Sequence, residues 1–399
     1  MAGADISFIL TCTGLVFIMT PGLAFFYGGL LRKKNIINMM AMCFVSISIV
    51  TVGWFILGYS LAFAPDIGGG LIGNLDFFGL FGVGTDSYPV YSDAIPHLLY
   101  MVFQLMFAII TVAIIASPFA ERVNFKAFMV FIAIWLILVY SPIAHWVWGD
   151  GGWLGALGAL DFAGGTVVHI NVGFASLAVA LVIGPRKGYQ KDPMDPSNVP
   201  YVLLGTGLLW LGWFGFNGGS ALAADSTAVL AIFNTHLAAS TAALIWMIIE
   251  YYKTEKFSTL GLATGALAGL VAITPAAGFV QPWAALVIGA IVAVICFGTL
   301  TWRSNSKIDD SLDAWAVHGW GGIWGAIAAG IFASVGATGL IKGNLGQVWI
   351  QILGVSVTIV YSFLVTWVIA KVINKLMNLR TSEEMEYLGI DIATHGEKG

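Results

Sequence analysis

From residue 6 to residue 377 the chain keeps returning to one pattern: an apolar run, then a short break of charged residues, glycine or proline. A hydrocarbon core about 30 Å thick takes roughly 20 apolar residues per helical crossing. The runs are long enough, so they read as membrane-spanning helices near 6–31, 36–64, 96–119, 127–148, 163–184, 199–219, 227–251, 258–279, 283–302, 314–334 and 347–377. Breaks such as Arg32-Lys33-Lys34-Asn35 and Pro185-Arg186-Lys187-Gly188 carry loop punctuation, and 65–95, rich in Gly and Asp, is the longest loop. The expected fold class is all-α, a polytopic membrane bundle of about eleven transmembrane helices. A transmembrane transport domain is expected over 1–378 and a cytoplasmic tail over 379–399. Composition agrees: 10% charged residues against 59% hydrophobic leave too little charge to wet a globule, where roughly 25% is usual.

The basic residues set an orientation. With the N-terminus outside and the C-terminus inside, every Lys and Arg except Lys342 falls in an inner loop or the tail, as the positive-inside rule requires. An odd number of spans preserves that alternation. The outer loops then hold Asp5, Asp66, Asp76, Asp86, Asp93, Asp150, Asp161 and Asp225, and an acidic face concentrates cations.

Several classes are excluded. The basic residues never line one face, so no nucleic-acid footprint is read. Cys12, Cys43 and Cys296 sit in apolar stretches without a CxxC pair and suggest packing, with no disulfide framework, metal site or cofactor. The start, Met1 to Asp5, lacks the basic region of a cleavable signal peptide. Small-residue pairs such as Gly321-x-x-x-Gly325 and Gly261-x-x-x-Gly265 suit close helix packing in lipid.

An internal repeat carries the functional signal. Asp161-Phe-Ala-Gly-Gly-Thr-Val-Val-His169 opens the fifth span, and Asp310-Ser-Leu-Asp-Ala-Trp-Ala-Val-His318 opens the tenth. Each has Val before the His and Gly four residues after it. Phe26-Tyr-Gly-Gly29 and Phe216-Asn-Gly-Gly219 likewise echo each other in the first and sixth spans. Two five-span repeats, about 6–184 and 199–334, follow, with 347–377 as a last helix. Five is odd, so the repeats run inverted, an arrangement that recurs in transporters with sites near the midplane. Eight residues of helix rise about 12 Å, so each histidine lies about 12 Å deep from opposite faces. Both reach half depth and can meet. Polar groups at the bilayer centre tend to line a pathway, which marks His169 and His318 as central pore residues. Asp161 and Asp310 suit helix capping, and a supporting electrostatic role is equally open for Asp161. His236 reads as a satisfied core residue, and His97 and His145 as wetted residues near the outer boundary.

These residues resemble the ammonium transporter family, in its ammonium branch. The likeness is carried by Pro21-Gly-Leu-Ala-Phe-Phe-Tyr-Gly-Gly29, Pro118-Phe-Ala-Glu-Arg122, the run from Asp161 to Asn171, Gly212-Trp-Phe-Gly-Phe-Asn-Gly-Gly-Ser220 and Val317-His-Gly319. The resemblance implies an outer recruitment site of Phe103, Phe107, Trp148 and Ser220, and a pore gate of Phe107 over Phe216. It further implies the His169 and His318 pair, Asp161 as its supporting carboxylate, and Thr274 as a polar residue near the outer mouth. It implies a homotrimer in the cell membrane with one pore per subunit. A PII-type regulatory protein would dock on the cytoplasmic face, where Glu386 to Gly396 resembles the family tail. Rhesus-type neutral gas channels lack the aromatic and serine of the outer site, so Trp148 and Ser220 favour the ammonium branch.

Physical chemistry suits that cargo. Aromatic faces hold a cation with about 0.5–2 kcal/mol per contact. A serine hydroxyl accepts an N–H bond that potassium lacks. An unpaired ion in an apolar conduit neutralises instead of crossing charged, so ammonium is expected to shed its proton and ammonia to pass the histidines. An intramembrane enzyme would need a nucleophile and base or a motif such as HExxH, and none is read. A sensor acting through a cytoplasmic partner is the remaining alternative.

Overall fold

The computed structural model describes residues 3–398. Nine of its helices are long and apolar enough to cross a membrane by length and composition: α1 Gly3–Leu30, α2 Lys33–Phe63, α3 His97–Phe119, α4 Phe125–Ala156, α5 Gly165–Ile183, α6 Val199–Gly219, α7 Ser226–Thr254, α9 Pro282–Ser304 and α11 Leu345–Met377. Two shorter apolar segments lie among them, α8 Thr259–Ile273 and α10 over 315–332. A short helix in the tail, Glu383–Leu388, is α12. The molecule is an all-helical, multi-pass membrane protein.

Side-chain caps start many of these helices. Asn124 accepts from the Ala127 N–H, Asn198 from Tyr201, Asp225 from Ala228, Ser258 from Gly261 and Asn344 from Gln347, each satisfying an orphan donor of a first turn. α8 stops earlier than its apolar run. Residues 274–280 form turns, because Pro275 has no N–H to continue the ladder and restricts the residue before it. The 65–95 loop is folded, with a hairpin of Ser87–Tyr88 and Ser92–Pro96. Tyr91 closes it by donating its hydroxyl hydrogen to Phe63 O.

Close helix contact follows the small residues. A Cβ on Gly265 would sit 2.7 Å from Trp246 Cβ, and one on Gly22 would sit 2.9 Å from Leu208 Cβ, so α8 meets α7 and α1 meets α6 with almost nothing between the backbones. In lipid such approach supplies the packing that water would otherwise drive. The three cysteines are buried and unpaired.

The basic loops converge on one end of the bundle, where two buried acids meet three arginines. Glu121 accepts from Arg32 and Arg186, and Asp309 from Arg122 and Arg186. Arg122 also donates to Pro118 O, at 2.7 Å from Nη2, which gives the Pro118 to Arg122 motif a structural role. Burial alone would raise the Asp309 carboxyl, but Arg122 and Arg186 beside it bring it down to about 2. For Glu121, Arg186 and Arg32 likewise outweigh burial and lower it. The tail docks on this end: Asp391 accepts the Ile37 and Asn38 N–H groups at 3.1 and 2.8 Å, and Lys34 Nζ donates to Glu386 O at 3.0 Å.

Three histidines sit differently from their sequence readings. His145 is buried, with Nδ1 3.0 Å from Ala62 O and Nε2 3.3 Å from Asp66. His97 is buried against Tyr59 Oη at 2.6 Å and stacked on Tyr88. Both were read as wetted; the folded 65–95 loop covers them. His236, read as core, is exposed on the outside of α7 beside Trp210. The buried stripe of that helix runs through Ala231, Thr235, Ala238 and Ala242, and position 236 falls off its phase.

Candidate functional site

Two cavities lie in line, divided by one pair of rings. The outer cavity, about 350 Å³, is lined by Tyr100, Gln104, Phe107, Trp148, Asp161 and Ser220 among others. The inner one, about 90 Å³, is enclosed by Phe216, Trp213, His169 and His318 and extends past Tyr27 to Asp313. Phe107 faces the first and Phe216 the second, and the two rings stack with centroids 4.2 Å apart at 27°. Both are buried. Trp148 stands edge-on to Phe107 at 6.0 Å, its ring held by an N–H bond to Asp161 O at 2.9 Å. Ser220 lines the outer cavity while donating to Phe216 O at 2.8 Å, so its oxygen remains free to accept.

Behind the rings the histidines meet. His169 Nδ1 and His318 Nδ1 are 3.2 Å apart. One must donate and the other accept, so the pair is a shared-proton unit with two interchangeable tautomeric forms. His169 stacks on Trp213 and Phe216, at 5.5 and 6.2 Å. Its Nε2 is buried without a partner, in a wall of the inner cavity.

The local backbone explains how two long-separated imidazoles reach one point. Gly165–Ile170 and Trp315–Gly319 are both π-helical turns, a device found often at functional sites. Asp161 ties the first turn down: its carboxylate accepts the N–H groups of Gly164, Gly165, Thr166 and Val167 at 2.6–3.1 Å. Asp310 accepts the Trp315 N–H at 2.7 Å and the Ser117 hydroxyl hydrogen at 3.2 Å. The glycine four residues beyond each histidine is where α5 and α10 cross. A Cβ on Gly173 would lie 2.5 Å from Gly319 Cα, and one on Gly322 would lie 2.9 Å from Ile170 Cγ1. With any side chain there, the helices would separate and so would the rings.

Not every residue drawn from the resemblance lines these cavities. Phe103 is buried behind Phe107, edge-on at 5.0 Å, and supports that ring. Thr274 lines neither cavity; its hydroxyl accepts from Trp213 Nε1–H at 2.8 Å and donates to Leu270 O, which fixes the indole over His169. Trp213, Tyr100 and Gln104 were missed. Trp213 lay inside the quoted Gly212 to Ser220 run, but nothing in an apolar span marks one aromatic as a cavity wall. Gln104 carried a fainter signal, a lone amide one helical turn before Phe107. Its Oε1 is buried without a partner, a further acceptor at the outer cavity.

The fold and this interior point to a class: a helical membrane transporter, with two cavities divided by stacked rings and a buried histidine pair in the wall of the inner one. Comparison with known proteins narrows it. The Ammonium Transporter Family profile matches residues 7–399, and the chain belongs to that family. It is 49% identical over 404 residues to the ammonium transporter of Bacillus subtilis, covering 100% of this chain and 98% of that protein. The crystal structure of Saccharomyces cerevisiae Mep2 superposes with a TM-score of 0.90 at 37% identity, covering 96% of this chain and 88% of that one. A structure described as a sensor Amt protein superposes with a TM-score of 0.91 at 32% identity, covering 98% of each chain.

Proposed function

We propose that the protein imports ammonium: it recruits the cation at the outer cavity, the cation gives up a proton at the stacked phenylalanines to the His169–His318 pair, which relays it, and ammonia passes along the same pair. The observation that carries the reading is the bonded pair itself, with His169 Nε2 left unpartnered at a cavity wall. A buried polar atom without a partner costs about 1–3 kcal/mol, and ammonia, which can both donate an N–H and accept through its lone pair, relieves that cost in either tautomer. At the outer cavity, Trp148 and Phe107 supply cation-binding faces, while Ser220 Oγ and Gln104 Oε1 supply acceptors for N–H. Potassium brings charge but no N–H, so it can meet these oxygens only by coordination, for which a pair of oxygens is a poor substitute for its hydration shell. Asp161 serves as the supporting carboxylate that orients the His169 turn.

The topology behind this is eleven spans, N-terminus outside and C-terminus inside, with inverted repeats over about 6–184 and 199–334 and a last helix over 347–377. The basic end is then cytoplasmic and the outer cavity faces the exterior. The assembly is a homotrimer in the cell membrane, with the 379–399 tail, docked over its described residues, as the landing site for a PII-type protein. The test is current and pH recording from liposomes given ammonium, methylammonium and potassium in turn. Ammonium and methylammonium should pass and potassium should not. In His169→Leu, ammonium flux should fall about tenfold or more, the equivalent of about 1.4 kcal/mol. Unchanged flux and unchanged potassium exclusion in that variant would remove the central role. The likeness to a sensor Amt structure favours one second reading, sensing through a cytoplasmic partner, which flux through the purified protein distinguishes.

A further inference from the structure

At the basic end, the transport reading leaves one cleft without a role. Residues 185–191, between α5 and α6, face Lys307 after α9 and Arg380 after α11 across a cleft of about 600 Å³. Arg186, Lys187, Lys191, Lys307 and Arg380 line it, and no acid does. Acids reach three of these bases from outside the cleft. Arg186 is held by Asp309 and Glu121, Arg380 by Glu386, and Lys187 by Glu383. Lys191 and Lys307 are exposed and have no ion-pair partner among the described residues.

The walls that carry these two lysines are tied together. Tyr189 Oη–H donates to Ile308 O at 3.0 Å, and Gln190 Nε2–H donates to Ser304 O and Ser306 O at 2.9 and 2.7 Å. Two ammonium groups without ion-pair partners among the described residues thus stand on tied walls of one cleft. A compact anion with several acceptor oxygens can be held by both at once, and ammonium groups suit phosphate oxygens as point charges.

We propose that this cleft binds a phosphate-bearing anion of about two negative charges, drawn either from solution or from a lipid headgroup. Lys191 and Lys307 supply the free charge. Lys187 joins them, because its partner Glu383 is 71% exposed and such surface pairs are weak. Arg186 stays with Asp309 and positions the loop. Since Glu383 belongs to α12, the anion competes with the tail for Lys187, and occupancy loosens the tail.

The test uses the full chain at low ionic strength, where surface charges are least screened. Pyrophosphate is titrated into detergent-solubilised protein by calorimetry, and phosphatidic acid is offered in nanodiscs and read by native mass spectrometry. K191Q/K307Q, at two exposed positions, should elute as wild type and weaken binding at least tenfold. Glu383→Gln should tighten it several-fold. Pyrophosphate binding lost in the double variant assigns a solution anion; lipid retention alone, lost in the same variant, assigns a headgroup. Binding of neither probe, or equal binding by wild type and K191Q/K307Q, overturns the proposal. An unchanged affinity in Glu383→Gln overturns the competition with the tail.

Discussion

The segments that deliver the two histidines are alike in sequence and differently held. Around His169 the restraint is local: Asp161 folds its carboxylate onto four N–H groups of its own chain. Around His318 one such local bond, from the Trp315 N–H to Asp310, is joined by restraints from elsewhere in the fold. Asp309 engages Arg122 and Arg186, Asp310 engages Ser117, and Asp313 pairs with Arg303 at 2.6 Å. One imidazole is positioned by a turn that the segment makes for itself. The other is positioned by the basic end of the bundle, which the docked tail also touches. Equivalent residues in a repeat therefore need not share an anchoring mechanism.

The largest effect should come from the second anchor. Asp309→Asn strands two buried arginines, and removing one partner of a buried ion pair costs about 3–5 kcal/mol. Thermal unfolding of the solubilised protein should register that loss; an unaltered melting temperature would break the comparison. The same carboxylate imposes a pH dependence. Its folded pKa of about 2 lies below an unfolded value of about 3.9. Its contribution is therefore full above about pH 4 and lost as pH falls through about 2. Melting measured from pH 6 down to pH 2 should show wild type losing its margin over Asp309→Asn in that window.

Asp161→Asn should cost somewhat less, about 2–3 kcal/mol, because an amide keeps one acceptor oxygen and turns a donor toward the other N–H groups. The loss should appear without any change at the basic end, read as an unaltered exchange rate of the Asn38 and Ile390 amides that hold the tail.

The two crossing glycines sharpen the contrast further. Gly173→Ala drives a methyl to 2.5 Å from Gly319 Cα, whereas Gly322→Ala places one less tightly, at 2.9–3.1 Å from Ile170 Cγ1, Ile170 N and Gly165 O. Overpacking costs typically 1–3 kcal/mol. Gly173→Ala belongs at the upper end and Gly322→Ala at the lower, with ammonium flux falling in the same order. The smallest effect is that of Ser117→Ala, about 1 kcal/mol for one hydrogen bond, detectable as a small melting shift. Equal losses for the two alanine variants would mean that the closer approach at Gly173 does not set the crossing.

Much of this was legible in the residues. Apolar run length marked the long helices, and the Asp-to-His spacing marked both imidazoles as meeting residues. The glycine four places after each histidine was visible as a pattern, but its purpose was not, since that depends on which helix lies opposite. The π-helical turns left no trace in composition. α8 was overextended because apolar residues after Pro275 were counted as helix, although they turn. His145 was misread because depth along a helix says nothing about a loop folding over it. Thr274 and Phe103 were assigned to the outer mouth by resemblance, and they stand one layer back, holding Trp213 and Phe107.

Sequence alone determined the solvent, the placing of the long greasy segments, the sorting of charge between loops, and the histidines with titratable rings. Those are local properties, set by how each stretch partitions between water and hydrocarbon. Tertiary structure decided that two nitrogens 149 residues apart in the chain come within 3.2 Å. It also decided that a single stack of rings separates the cavities, and that the basic loops leave a cleft. Such features depend on where helices cross, and a crossing is fixed by the shapes of two surfaces at once, which no single stretch of chain contains.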